Sequence, residues 1–493
     1  MASSSPSFPD VWTWIQNLPP MTQWKSNSMS LCICSCASQP SLKLSITKYH
    51  QSSFNFSIQA DYNIPFNLWT SKPLDPSYAL QDKKNMSNLW LNIVVDILSF
   101  SPNGCPHSPK FPNIDSSPEF RKMFNFTFLS LVFLICIYEA PSEIRTGCLN
   151  ILQNQFACPR SRETSLMLMR VLGSNIEEQW MRSINLALTN WISELQGSRH
   201  NLKSPSPLYS YAISAFGLWK VQLYCPVIAM NIQNSSNSPD DRLLFSLNYH
   251  QLEGVIQLNY KVVIRENWIE VMMNTDNIRC EVIRLIKETL MNERGAGSGE
   301  KHFPSRISLH VTPLLHTNVL SISVSKSSQN PISEIGLEKT IEASLEPTSP
   351  FVGINISAGE SMTTSLKPWK FEQSAYGNSA ILNWFLHDTS TVDGKEVVSS
   401  KPSKLALLQP KAWFRNRSTN AHRPFNKEGG VIFAGDEYGD SVCWKVDKRS
   451  LGKVMEWEIR GWIYLTYWPN KHRTLYSETR RAEFREVLHL TLA

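Results

Sequence analysis

Residues 401–427 form the segment whose side chains are best suited to binding chemistry. They include seven lysine and arginine residues and no acidic residue. Cations of this kind can neutralise phosphates while aromatic rings stack on bases, or can lie on anionic lipid at about 1 kcal/mol per basic residue. The composition by itself favours a solvated loop anchored to the body by its aromatic residues; the functional hypothesis is that the segment engages an anionic partner. The residues proposed for contact are Trp413, Arg415, Arg417 and Arg423.

The stretch MEWEIRGWIYLTYW (455–468) supplies the second set of candidate contacts. At the period of two of a strand, one face is apolar and is predicted to be core: Trp457, Ile459, Gly461, Ile463, Leu465 and Tyr467. The other face mixes acids and an arginine with Trp462, Tyr464 and Trp468. Such a face is costly to bury unpaired and unusual to expose. Either the helical region covers it, or these three aromatic residues contact a partner.

Three further motifs resemble chemical sites but lack essential residues. GAGSGEK (295–301) lacks the Gly-Lys-Ser/Thr of a phosphate loop, and Glu300 stands where phosphate would lie, which indicates a linker. Cys32, Cys34 and Cys36 would share one face of a strand, yet a zinc site needs a second ligand pair and only His50 is near. The acids of GDEYGD (435–440) do not have the spacing of a calcium loop.

The sequence contains no HExxH, Cys-x-x-Cys or Gly-x-Ser-x-Gly motif. We therefore predict no catalytic residue, no cofactor and no metal, and a non-catalytic binding or scaffold protein of unknown partner. An enzyme acting on carbohydrate or lipid is an alternative, because Glu456 and Glu458 stand beside aromatic residues. Residues two apart on one strand are, however, not paired across a substrate. Nucleic acid is a less favoured partner than protein, and the oligomeric state is left open.

The length and composition of the chain indicate a folded protein with a large core, whose helices and strands position these residues. Its 493 residues correspond to roughly three domains at about 150 residues each. Apolar residues make up 42% and charged residues only 18%, which excludes wholesale disorder. Residues 401–493 hold 17 basic and 10 acidic side chains, or +7. The first 400 hold 31 and 32, or −1, so the basic excess of +6 comes from the carboxy-terminal fifth.

The hydrophobic period divides the chain into three regions. Residues 1–85 are irregular with short strands, notably 41–48 and 54–62, and are expected to dock on, and pair into, the body. Residues 86–200 show helical spacing, including a capping box of Ser174 and Glu177. From 206 to 493 short alternating runs separated by turns predict antiparallel strands, while 278–293 fits either strand or helix. We predict an α+β fold, with an amino-terminal helical region packed on a large antiparallel β-sandwich-like body.

Residues 123–138 form an uncharged run that bears on the location of the protein. At about 1.5 Å rise per residue, sixteen residues span roughly 24 Å, less than a hydrocarbon core of about 30 Å. A buried core helix is the preferred interpretation and a membrane segment is the alternative. Neither the spacing of the ten cysteines nor the chain length fits a small disulfide-stapled secreted domain, which favours a reducing compartment. We predict a cytoplasmic protein, with membrane association through 123–138 as the alternative.

Four stretches resemble a land-plant family of uncharacterised proteins with no known activity. They are DVWTWIQNLPP (10–20), FSLNYHQLEGVIQLNY (245–260), VIFAGDEYGDSVCWKVD (431–447) and EWEIRGWIYLTYWPNKHRT (456–474). The resemblance spans most of the chain and implies a plant origin. It implies no activity, cofactor or site residue.

Overall fold

The computed structural model describes residues 8–20, 23–36, 39–49, 53–74, 82–102, 104, 119–197, 210–236, 238–295, 299–325, 333–339, 360–366, 369–386, 431–434, 441–467 and 476–493. The chain divides into two compact units. The amino-terminal unit comprises Met1–Tyr209 and Arg284–Met291, and the carboxy-terminal unit comprises Ser210–Ile283 and Asn292–Ala493.

The amino-terminal unit begins with a short helix and a four-stranded antiparallel sheet. Helix α1 (Val11–Gln16) is followed by β1 (Ser28–Cys36), β2 (Gln39–Tyr49), β3 (Ser53–Asp61) and β4 (Phe66–Thr70). The strands lie in the order of the sequence. The predicted strands at 41–48 and 54–62 are confirmed. They pair with each other across a short connection, which closes at low entropic cost. The expected pairing of these strands with those of the carboxy-terminal body is not found in the described residues.

Five helices follow in the region predicted to be helical. They are α2 (Lys83–Ser99), α3 (Phe120–Tyr138), α4 (Ser142–Ala157), α5 (Pro159–Leu172) and α6 (Ser174–Gly197). The Asp82 side chain caps α2 by accepting from the amide of Lys84. Gly173, with φ of 77°, ends α5 and allows α6 to begin at the next residue.

Helix α3 forms the centre of this unit and contacts α1, α2, α4, α5 and α6. Two buried hydroxyls of this helix have partners: Trp90 Nε1 donates to Thr127 Oγ1 at 3.0 Å, and Ser130 donates to the carbonyl of Phe126. Among the described residues it is the one helix long and apolar enough to cross a membrane, and 83% of its most apolar window is buried. This burial fits the core-helix interpretation of 123–138; the cytoplasmic location remains a prediction.

Helix α1 is held on α3 by both polar and aromatic contacts. The amide of Trp12 donates to Asn125 Oδ1 at 3.0 Å, and the Trp12 ring meets Phe120 and Phe124 edge-on at 5.4 Å. Asp10 caps α1 and pairs with Arg121. Burial would raise the pKa of Asp10, but hydrogen bonds from Thr13, Asn125 and Arg121 outweigh it and lower the pKa to about 2.

The carboxy-terminal unit contains most of the strands. Its elements, in chain order, are β5 (Ser210–Ala215), β6 (Leu218–Pro226), β7 (Asn231–Ser236), α7 (Asp241–Asn248), β8 (His250–Ile264), β9 (Trp268–Arg284), β10 (Phe303–Pro313), β11 (Val319–Val324), β12 (Ser333–Lys339), β13 (Glu360–Leu366), β14 (Trp369–Tyr376), β15 (Ser379–Leu386), β16 (Val431–Ala434), β17 (Val442–Asp447), β18 (Val454–Tyr467) and β19 (Ser477–Thr491). Helix α8 (Glu288–Arg294) follows β9 in the sequence, and its first four residues are counted with the amino-terminal unit. The ambiguous segment 278–293 is strand up to Arg284 and helix from Glu288.

Two antiparallel sheets make up the body of this unit. One has six strands in the order β14-β15-β10-β18-β19-β7, and the other has seven, in the order β11-β17-β9-β8-β6-β5 with β16 also on β9. Their inner faces contribute to a single apolar cluster. The predicted α+β fold with a large antiparallel sheet body is thus confirmed.

Three tryptophans join the two sheets at the centre of the core. The ring centroid of Trp457, in the six-stranded sheet, lies 4.7 Å from that of Trp444 and 5.4 Å from that of Trp219, both in the seven-stranded sheet. All three have no exposed surface. The predicted core face of β18 is confirmed, because every one of its six residues is buried.

Gly461 is the close-packed point of the inner face. The register places it between Leu309 of β10 and Phe484 of β19. A Cβ atom here would overlap the Phe484 ring and come within 2.9 Å of Leu309 Cδ2. Gly254 of β8 faces the same core with more space, since its nearest neighbour would be Leu223 Cδ1 at 3.1 Å.

We expect Gly461→Ala to lower the free energy of unfolding by about 1–3 kcal/mol, because a buried ring must leave its position. Gly254→Ala is the matched control and should cost less, since the end of a leucine side chain can move. Urea denaturation measures both variants. Phe484→Leu added to Gly461→Ala should recover part of the loss, and equal costs for the two alanine variants would contradict this explanation.

Candidate functional site

The outer face of the six-stranded sheet carries the predicted aromatic contacts. Alternation on β18 turns Trp462 and Tyr464 away from the core, and both are half-buried. Pairing with β10 brings Arg306 opposite Tyr464 and His310 opposite Arg460. Pairing of β10 with β15 adds Phe385 opposite Arg306. We call these six residues the outer-face site: Arg306, His310, Phe385, Arg460, Trp462 and Tyr464.

Most arginines near this site are already neutralised by glutamates of the neighbouring strand. Arg460 Nε donates to Glu483 Oε1 at 2.9 Å, and Arg485 pairs with Glu458. Burial would raise the pKa of Glu483, but the hydrogen bond and charge of Arg460 outweigh it and lower the pKa. Exposed pairs of this kind each contribute about 0–1 kcal/mol to stability. They therefore mainly hold the side chains in position.

Arg306 is different from these arginines. Its Cζ lies 4.7 Å from the centre of the Phe385 ring and 5.3 Å from that of Tyr464. Within the described strands no carboxylate lies within ion-pair distance of it, and its buried Nε has no hydrogen-bond acceptor. Aromatic rings on both sides hold a planar guanidinium in one orientation while leaving its N–H groups to an incoming acceptor.

Trp462 provides an apolar surface next to this cation. The His310 ring meets it edge-on, with centroids 4.7 Å apart, and Arg460 Cζ lies 4.9 Å from its centroid. Burial, together with the charge of Arg460, lowers the pKa of His310, so the imidazole is neutral at pH 7. The arrangement can bind an anionic group at Arg306 and an apolar group at Trp462.

The structure brings together only part of the predicted site. Trp462 and Tyr464 are neighbours on the outer face, whereas Trp413, Arg415, Arg417, Arg423 and Trp468 lie outside the described residues. The glutamates of β18 are oriented towards basic side chains of β19, Glu458 to Arg485 and Glu456 to His489 at 3.7 Å. Sequence reasoning missed Arg306 and Phe385; alternation in RISLHVTPLL (306–315) was the available signal for the first.

A buried polar cluster in the same unit was also missed. Glu478 is almost completely buried and accepts from Arg480 Nε at 2.6 Å, while His302 Nε2 lies 2.8 Å from the same carboxylate and Tyr476 also donates to it. Arg480 further donates to the carbonyl of Val227 at 3.1 Å. The hydrogen bond and charge of His302, with Arg480, outweigh burial and lower the pKa of Glu478. The cluster links β19 to His302, which directly precedes β10, and to the 3-10 helix Val227–Ala229.

The cysteines expected on one strand face are not arranged that way. Register shifts on both sides of Cys34 break the alternation of β1, so that Cys32 is exposed and Cys34 is buried. The Cys34 thiol instead hydrogen-bonds to Cys148, which also contacts Cys136. Hydrogen bonds from Cys136 and Cys34 lower the pKa of Cys148 and raise their own. Over the described ranges no group of three or more metal-ligating side chains could hold a metal ion.

Glu478→Gln should lower the free energy of unfolding at pH 7 by about 3–5 kcal/mol, because it leaves Arg480 buried without a carboxylate. A lowered carboxyl pKa stabilises the fold above the unfolded pKa of about 4.3 and loses this effect as the pH falls through the folded pKa. The difference in the free energy of unfolding between the wild type and the Glu478→Gln variant should therefore decrease at acidic pH. Urea denaturation across pH measures it, with exposed Glu456→Gln as the control; similar costs at all pH values would contradict the assignment.

No family model and no curated protein matches the chain. It is similar to the delta-toxin of Clostridium perfringens (TM-score 0.21, 8% identity, 56% of this chain and 94% of the other). It is also similar to the NetB toxin of Clostridium perfringens in the membrane inserted form (TM-score 0.19, 11% identity, 57% of this chain and 98% of the other). A third similar structure is a DUF4466 family protein from Parabacteroides merdae (TM-score 0.12, 8% identity, 46% of this chain and 42% of the other). At these TM-scores the likeness carries no conclusion about this chain.

Proposed function

We propose that this chain is a non-catalytic binding protein that recognises an acidic segment of a partner protein through the outer-face site. The observation that carries the proposal is Arg306, a guanidinium held between two rings with no carboxylate near it in the described strands. A guanidinium without a carboxylate partner in the described strands can form charge-assisted hydrogen bonds with the carboxylate of a ligand. Trp462, on the neighbouring strand, offers an apolar contact beside it.

The charge of the face supports a protein partner over a nucleic acid. On β10, β18 and β19 the outward side chains include four arginines, at positions 306, 460, 481 and 485, and three glutamates, at 456, 458 and 483. The sum is 4 − 3 = +1, so only a small positive charge is available. A polyanion gains affinity from many uncompensated cations. One uncompensated arginine beside aromatic rings suits a single carboxylate flanked by apolar side chains.

The basic segment 401–427 remains part of the proposal as a second contact. It follows β15 in the sequence, and Phe385 of the outer-face site is the next-to-last residue of that strand. We propose that Arg415, Arg417 and Arg423 engage further anionic groups of the same partner, beside Trp413. Trp468 directly follows the last residue of β18 and is assigned to the same contact.

A random-peptide array probed with the full chain tests the outer-face site. We expect the selected peptides to carry Asp or Glu next to an aromatic residue. Arg306→Gln should weaken binding of a selected peptide about tenfold, since a hydrogen bond to a charged group contributes about 1.5–3 kcal/mol. Arg485→Gln, on the same face but already paired, is the control and should change affinity less than threefold. Selection of peptides without acids, or unchanged binding by the Arg306 variant, would refute the assignment.

The basic segment is tested by reversing its charge. Arg415→Glu, Arg417→Glu and Arg423→Glu together should abolish recovery of a partner that the wild-type chain captures by cross-linking and pull-down, because attraction becomes repulsion. Lysine at the same three positions keeps the charge and should preserve recovery. Unchanged recovery with the glutamate variant would remove this segment from the interface.

A further inference from the structure

Large apolar side chains exposed by the carboxy-terminal unit are concentrated at one end of its sandwich. The described residues expose eleven large apolar side chains in the whole chain. Two are on the amino-terminal unit, and two others are Ile232 of β7 and Val487 of β19. The remaining seven lie in or beside connections between strands: Phe216, Ile264, Leu315, Leu320, Tyr376, Leu451 and Val454.

The strand register places all of these connections at the same end. In the seven-stranded sheet, the turns at 216–217 and 265–267 adjoin the end where β17 finishes and β11 begins. In the six-stranded sheet, the turn at 377–378 adjoins the end where β10 finishes and β18 begins. The connections 314–318 and 448–453 run from one sheet to the other and so join these two ends. We call this end of the sandwich the loop end.

Two of the turns are built to project an aromatic ring. Gly217 has φ of 76° and Gly377 has φ of 57°, a region that favours glycine and permits a tight reversal. The residue before each glycine is then placed at the tip. Phe216 and Tyr376 are accordingly 106% and 80% exposed. Turns of this type are usually polar. Folding of the unit does not explain an exposed aromatic ring at both tips, whereas binding to another surface would.

Basic side chains surround the projecting apolar ones. The segments 215–220, 261–268, 314–320, 375–379 and 447–455 together hold six lysines and arginines and two acids, or 6 − 2 = +4. Arg265 pairs with Glu270, just outside these segments, which leaves +3. Lys448, Arg449 and Lys453 flank Leu451 and are all exposed. Lys448 Nζ donates to the carbonyl of Glu266 at 2.5 Å, and within the described residues none of the three forms an ion pair. The loop end is therefore apolar at its tips and positive around them.

We propose that the loop end docks on an anionic lipid membrane, with Phe216, Tyr376 and Leu451 entering the interface and the lysines and arginines contacting lipid head groups. The charge is complementary to such a surface. The tips belong to separate loops, and a fluid bilayer receives separate tips without the shape complementarity that a protein partner would require. This surface is distinct from the outer-face site and independent of helix α3.

Sedimentation of the full chain with vesicles tests the proposal. The vesicles are phosphatidylcholine alone or phosphatidylcholine with about 30% phosphatidylserine, a composition that supplies the negative surface potential of an anionic leaflet. We expect binding that requires phosphatidylserine and weakens in high salt. Phe216→Ser, Tyr376→Ser and Leu451→Ser together should reduce binding at least tenfold. Lys448→Glu, Arg449→Glu and Lys453→Glu together should abolish binding to the vesicles that contain phosphatidylserine.

Ile232→Ser provides the matched control, because Ile232 is 55% exposed and lies on β7, which pairs with the opposite end of β19. It should bind vesicles as the wild type does, and thermal unfolding should show that all variants are folded. Equal binding by the triple serine variant would overturn the proposal. So would a vesicle-free self-association that the same variant abolishes, since the loop end would then be an interface between copies of this chain.

Discussion

The contact of Trp457 with Trp219 and Trp444 is the constraint on which the carboxy-terminal unit depends. Three fully buried indole rings from two sheets fix which face of β18 is inside. Because side chains alternate along a strand, a slip of one residue would exchange the two faces. Gly461 strengthens this specification, since the Phe484 ring occupies the space that any side chain there would need. The outward direction of Trp462 and Tyr464 is thus decided by the core.

Features set by local pattern could be predicted from the sequence, whereas features set by long-range pairing could not. Alternation in β18 identified both of its faces, and helical spacing identified the region of α2–α6. Arg306 could not be joined to Tyr464, because 158 residues separate them and only sheet order makes them neighbours (464 − 306 = 158). His302, the residue after the predicted linker 295–301, could not be joined to Glu478 for the same reason, because the two are 176 positions apart in the sequence. In β1 the bulges at Cys34 broke a period that the sequence suggests is regular.

The two proposed surfaces differ in how their charges are balanced. On the outer face, Arg460 and Arg485 are paired with glutamates, and the remaining cation is one arginine between aromatic rings. At the loop end the three basic residues around Leu451 have no ion-pair partner in the described residues. Charged side chains that are already ion-paired orient a ligand and contribute to specificity, whereas unpaired charges attract a partner over a distance and are screened by salt. One molecule can therefore combine a selective contact with a general one.

The burial of helix α3 has a consequence for biosynthesis. The helix is covered in part by α6, which ends at Gly197, so 197 − 138 = 59 further residues must be made before that cover exists. At about 5–20 residues per second, the apolar segment waits roughly 3–12 s outside the ribosome. During that interval it presents the same surface as a nascent membrane anchor. Chaperones that shield emerging hydrophobic segments would therefore be able to bind α3 during this interval.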